Sequence, residues 1–126
     1  MKLDHDLVRD ILLLIEDSQS LTGPSDAELQ AVGESRGANR EQVGYTLEKL
    51  NEAGFILGKP MYASDKIYLL TSGNLTYEGH GYLDNVRDAT VWNNTKSKIA
   101  STVGNASIEI VAKVAENLIV RSLGLN

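Results

Sequence analysis

The sequence predicts a mainly helical chain interrupted by one small β-hairpin. Three patterns predict it. Apolar residues recur at helical spacing through the first fifty residues, each run preceded by a polar residue suited to cap it. Two short β-type runs, Phe55-Ile56-Leu57 and Ile67-Tyr68-Leu69-Leu70, flank a stretch rich in turn residues. From residue 76 onward the apolar spacing is helical again.

Asp4 or Asp6 suits the cap of a first helix, since an acid near a helix N-terminus meets the positive end of its dipole. Leu7, Val8, Ile11, Leu12, Leu14 and Ile15 form its apolar face, which fades at Asp17-Ser18. Thr22-Gly23-Pro24 reads as a turn, and Ser25-Asp26-Ala27-Glu28 matches the reciprocal S-x-x-E capping box. The second helix it opens turns Leu29 and Val32 inward and ends at Gly37. Asn39 caps a third helix, with Gln42 at the reciprocal position and Val43, Leu47 and Leu50 as its buried stripe. Gly54 stands where a left-handed C-terminal cap belongs. Between the two β-type runs lie Gly58, Pro60 and Ser64-Asp65, which predict a hairpin. Thr76 suits the cap of a fourth helix with Gly79, Tyr82, Leu83, Val86, Ala89 and Thr90 on one side. Trp92 falls about 180° from that stripe at 100° per residue, so either the helix breaks near 88–91 or Trp92 faces another partner. A last helix runs from Ser107 to about Leu123.

Three short helices followed by a hairpin is the element order of a winged helix-turn-helix. The expected organisation is a winged-helix core over residues 1–75 and a helical extension over 76–126, packed on the core or on a second subunit. Leu50-Asn51-Glu52-Ala53-Gly54-Phe55-Ile56 resembles the step by which such domains leave the third helix. Leu75-Thr76-Tyr77-Glu78-Gly79, followed by Leu83, resembles the step from wing to next helix in MarR-type and PadR-type regulators. The stretches Met1 to Asp10 and Leu75 to Asp88, continuing to Trp92, are similar to a bacterial and prophage-borne family known only as a domain of unknown function. Members of that family usually carry Tyr-His in the third helix where this chain has Tyr45-Thr46. The resemblance implies winged-helix architecture and a phage or prophage setting, and no activity.

Composition narrows the chemistry. A length of 126 residues suits one domain, and roughly two-thirds of the surface of such a chain is buried on folding, enough for a core without staples. The absence of cysteine excludes disulfides, thiolate metal sites and a Cys nucleophile. With only His5 and His80, a multi-histidine metal centre is not expected, and no serine has a recognisable His–acid partner arrangement. No catalytic residue, metal or cofactor is assigned, and no enzyme is expected. The N-terminal residues lack the pattern of a signal peptide, and the longest apolar run, Ile11 to Ile15, is too short to span a bilayer. A cytoplasmic protein without membrane partners is the expectation.

The net charge is −5, with eight acids against Lys2 and Arg9 in residues 1–35 and no basic block anywhere. In a helix-turn-helix the outward face of the third helix meets the major groove. Here that face carries Glu41, Tyr45, Glu48 and Glu52, whose carboxylates repel phosphate. Its flank offers Asn39, Arg40, Gln42 and Lys49, and the wing offers Lys59 and Lys66. Those residues with Tyr45 are the candidate contacts to double-stranded DNA in a prophage-associated transcriptional regulator. The rival reading is a winged-helix interaction or self-assembly module, whose glutamate face is solvated or meets a basic partner.

Asp4-His5-Asp6 reads as capping and solvation, because neighbouring helical side chains diverge. His80 reads as a partly buried, hydrogen-bonded imidazole, and Asp84, Arg87 and Asp88 are spaced for ion pairing along a helix. The last helix carries more apolar surface than one small core needs. Trp92, Ile110, Val114, Leu118 and Val120 are therefore the candidate contacts of a homo-oligomer, with a dimer as the commonest form.

Overall fold

The structure, a computed structural model, describes residues 1–125. Six helices and one two-stranded antiparallel sheet are present among them: α1 His5–Asp17, α2 Asp26–Ser35, α3 Arg40–Glu52, β1 Met61–Ala63, β2 Lys66–Leu69, α4 Tyr77–Val86, α5 Ala89–Thr102 and α6 Ile108–Ser122. The chain divides into two compact units, residues 1–80 and from Gly81 onward.

In the first unit the helix starts are set locally. Asp4 accepts from the amides of Asp6 and Leu7 at 2.9 and 3.2 Å. Ser25 with Glu28, and Asn39 with Gln42, each form both halves of a capping box. Helices α1, α2 and α3 pack on one another around Leu7, Val8, Ile11, Leu12, Ile15, Leu29, Val43, Leu47 and Leu50, all buried. Val32, expected inward, is only half-buried.

The hairpin lies further along than the apolar runs suggest. Ser64 and Asp65 both adopt positive φ, 52° and 64°, as a two-residue hairpin turn of this hand requires. A turn that short forces pairing immediately on either side, so Ala63 pairs with Lys66 and Tyr62 with Ile67. Phe55-Ile56-Leu57 is therefore not the first strand. It runs beside residues 72–76 instead, with a single bridge from Ile56 to Leu75 and bonds from the amides of Leu57, Gly58 and Thr76. The side-chain amide of Asn51 donates to the Gly58 carbonyl at 3.0 Å and so ties the end of α3 to this segment.

The entry into α4 explains the Leu-Thr-x-x-Gly pattern. Leu75 is buried, the Thr76 hydroxyl donates to the Gly54 carbonyl, and Thr76 Oγ1 accepts from the Gly79 amide at 3.0 Å. A Cβ at Gly79 would stand 2.1 Å from the Phe55 carbonyl oxygen, so only glycine permits this approach.

In the second unit α4 stops at Val86, and Asp88 caps α5 by accepting from the Val91 amide at 2.9 Å. Of the two alternatives for Trp92, the helix break is the one found. Ala89 and Thr90, expected on the buried stripe of a longer fourth helix, are exposed, while Trp92, Thr95 and Ile99 form the buried face of α5. Arg87 pairs with Asp84 at 2.8 Å, as their spacing anticipates, whereas Asp88 serves as a cap. Ser107 caps α6, which packs on α5 and buries Val111 and Ala115.

Candidate functional site

The outer side of α3 and the hairpin enclose an open groove of about 480 Å³. Close packing brings the two elements together: a Cβ at Gly44 would lie 2.5 Å from the end of the Ile67 side chain. Glu41, Tyr45 and Glu48 line the groove from α3, and Tyr62, Asp65 and Lys66 line it from the hairpin. Partial burial, followed by the neighbouring Glu48 carboxylate, raises the Tyr62 phenol above its ordinary pKa. Met61, Tyr62 and Tyr68 on the hairpin are all at least half exposed.

The polar residues expected to read DNA are largely occupied within the chain. Asn39 and Gln42 each accept the other's amide at 2.9 Å, so both side-chain oxygens serve the cap. Arg40 grips the Asp26 carboxylate at two points, 2.8 and 2.7 Å, and donates to the side-chain amide oxygen Oε1 of Gln30 at 2.6 Å. The hydrogen bond from Arg40, against the opposing effect of burial and helped by the Leu70 amide, holds Asp26 below the usual carboxylate range. The same bond raises Arg40 further. Lys49 reaches Glu52 at 3.1 Å and stands 5.3 Å over the Tyr45 ring. Lys59 and Lys66 are exposed and have no ion pair among the described residues.

The groove thus gathers Arg40, Tyr45 and Lys66 from the candidates and leaves Asn39, Gln42, Lys49 and Lys59 off its lining. Tyr62 and Asp65 were not singled out from the sequence. A hairpin centred on Ser64-Asp65, rather than one starting at Phe55, is the signal that would have placed both.

In the second unit Trp92 is 3% exposed, with the Lys96 ammonium 5.6 Å over its ring. Ile110 is 46% exposed, and Val114, Leu118 and Val120 are half-buried. His80 is exposed, not partly buried. The buried side of α4 is made by Gly79, Tyr82, Leu83 and Val86, and His80 beside it is left in solvent. Among the described residues no cluster of three or more His, Asp or Glu is placed to hold a metal ion, and no helix is long and apolar enough to cross a membrane.

Residues 2–105 match the model of a family described as "Hypothetical protein (DUF2513)". The chain is also similar to an uncharacterised protein of Haemophilus influenzae strain Rd, 34% identical over 123 residues that cover 98% of this chain and 99% of the relative. No solved structure matches it.

Proposed function

The chain belongs to the family described as Hypothetical protein (DUF2513), and on that premise we propose that its first unit is a winged helix-turn-helix serving as a non-enzymatic protein-interaction module. The order of three mutually packed helices and a hairpin supports the architecture. The observation that carries the function is the state of the α3 cations. Arg40 and Lys49 are held by Asp26 and Glu52, while Glu41 and Glu48 line the outward groove. A surface that binds DNA needs several free Lys or Arg contacts to phosphate. Exposed tyrosines beside carboxylates suit a protein partner better, since Tyr supplies both apolar area and a hydrogen bond at interfaces.

A prophage-associated transcriptional regulator that binds DNA is the second reading, favoured by the exposed, unpaired Lys59 and Lys66. Fluorescence polarisation with labelled duplexes, random and from the native locus, separates the two. The interaction-module reading expects no saturable binding even at low salt. Saturable binding that salt suppresses and that Lys59→Ala with Lys66→Ala abolishes would establish the DNA reading instead.

Self-association through the second unit is a further part of this reading. Ile110, at 46% exposed, and the half-buried Val114, Leu118 and Val120 lie on α6, and Leu123 and Leu125 beyond it are 66% and 70% exposed. Burial of a few such side chains, at about 1.5–3 kcal/mol each when complete, is enough to hold a homodimer.

A further inference from the structure

We propose that the groove between α3 and the hairpin receives an arginine-bearing, extended segment of a basic protein partner. The inference rests on the interaction-module reading and names the chemistry of the partner. Glu41, Glu48 and Asp65 stand at the groove against Lys66 and Met1 with its terminal ammonium, because the Arg40 guanidinium is already neutralised by Asp26. The field there is negative, so it draws cations in and turns phosphates and acidic chains away.

Two further features select a guanidinium. Tyr45 and Tyr62 line the same groove, one from each element. A guanidinium is planar and weakly hydrated, stacks on aromatic faces and offers a fork of donors to carboxylates. The Tyr45 ring already carries a cation of this chain, the Lys49 ammonium 5.3 Å from its centroid. Glu48 stands beside Tyr62 at the groove, with acceptor positions for an incoming donor. With a volume of about 480 Å³ and an open form along the hairpin, the groove has room for more than one side chain of an extended peptide.

The test uses the full chain and fluorescence polarisation of a labelled ten-residue peptide of alternating arginine and serine. Its lysine counterpart, a glutamate counterpart and a random DNA duplex serve as comparison probes. The arginine peptide should bind, the lysine peptide several-fold more weakly, and the other two not at all. Glu48→Lys should weaken arginine-peptide binding by about tenfold or more. Glu48→Gln, which removes the charge and keeps the length of the side chain, should weaken it less while leaving the fold intact by circular dichroism. Glu116→Lys on α6, which belongs to the other unit and is not part of the groove lining, makes the same change in net charge and should leave binding unchanged. Equal losses in Glu48→Lys and Glu116→Lys would overturn the proposal, since net charge alone would then explain binding. Equal affinity for the lysine peptide would overturn the assignment of a guanidinium. If neither the peptides nor the duplex bind, this inference fails and the interaction-module reading stands. If the duplex binds, both fail.

Discussion

Asp26 and Arg40 are joined at two points, Nη1 to Oδ1 at 2.8 Å and Nη2 to Oδ2 at 2.7 Å, and the same carboxylate accepts the Leu70 amide at 2.7 Å. One side chain at the start of α2 therefore ties the start of α3 to the residue that follows β2. Arg40 stands at the N-terminus of α3, where a DNA reader would use it. Here it is spent on holding the hairpin and two helices together.

Asp26→Asn should lower stability at neutral pH by about 1–2 kcal/mol, less than a fully buried charged bond is worth because both partners are open to solvent on one side. The pH dependence has a definite sign. Arg40 holds the folded-state pKa of Asp26 below its unfolded value of about 3.9. The stabilisation is thus complete above that value and is lost as pH falls through the lowered folded pKa. Melting temperatures followed from neutrality to about pH 3 should fall less steeply at the acid end in Asp26→Asn than in the parent.

Two glycines in α4 should respond in opposite directions to alanine. Gly79→Ala places a Cβ 2.1 Å from the Phe55 carbonyl oxygen, a backbone atom with no free rotation. A loss of about 3 kcal/mol, the upper end for overpacking, is expected. Gly81 has nothing within 4 Å of its Cβ position and is exposed, so Gly81→Ala should stabilise by about 0.5–1 kcal/mol. Denaturant melts of the two variants check both signs.

Trp92 is the only tryptophan, which makes the break before α5 directly observable. Its emission should be blue-shifted and weakly quenched by acrylamide in the folded chain, consistent with 3% exposure. Asp88→Ala removes the cap and should cost about 1 kcal/mol. A solvent-like emission in the native state would contradict the burial.

Sedimentation tests the second unit. Ile110→Glu should lower the mass of the assembled species and leave the circular dichroism spectrum unchanged, because Ile110 is 46% exposed in the single chain. A parent chain that stays monomeric at high micromolar concentration would contradict self-association.

The helix starts were legible because their causes are local. Ser25 with Glu28 and Asn39 with Gln42 lie three residues apart, within reach of any reading of spacing. The turn at Ser64-Asp65 was legible for the same reason. Phe55-Ile56-Leu57 misled because a short apolar run does not say what the segment pairs with, and of the three only Ile56 is fully buried. Arg40 misled more deeply. Its partner Asp26 is fourteen residues away on another helix, so the sequence offered a cation and the fold removed it. Trp92 lay between these cases: its offset from the stripe signalled a break or a partner, and packing decided for the break.

Amide chemical-shift mapping on the isotope-labelled full chain tests the protein-facing reading of the α3–hairpin groove most directly. Titration with the arginine–serine peptide should move the amides of Glu41, Tyr45, Glu48 and Tyr62 and leave those of α6 in place, while a random duplex at low salt should move none. Shifts at Asn39, Lys59 and Lys66 on adding the duplex, with none on adding the peptide, would contradict it and make this face a DNA reader.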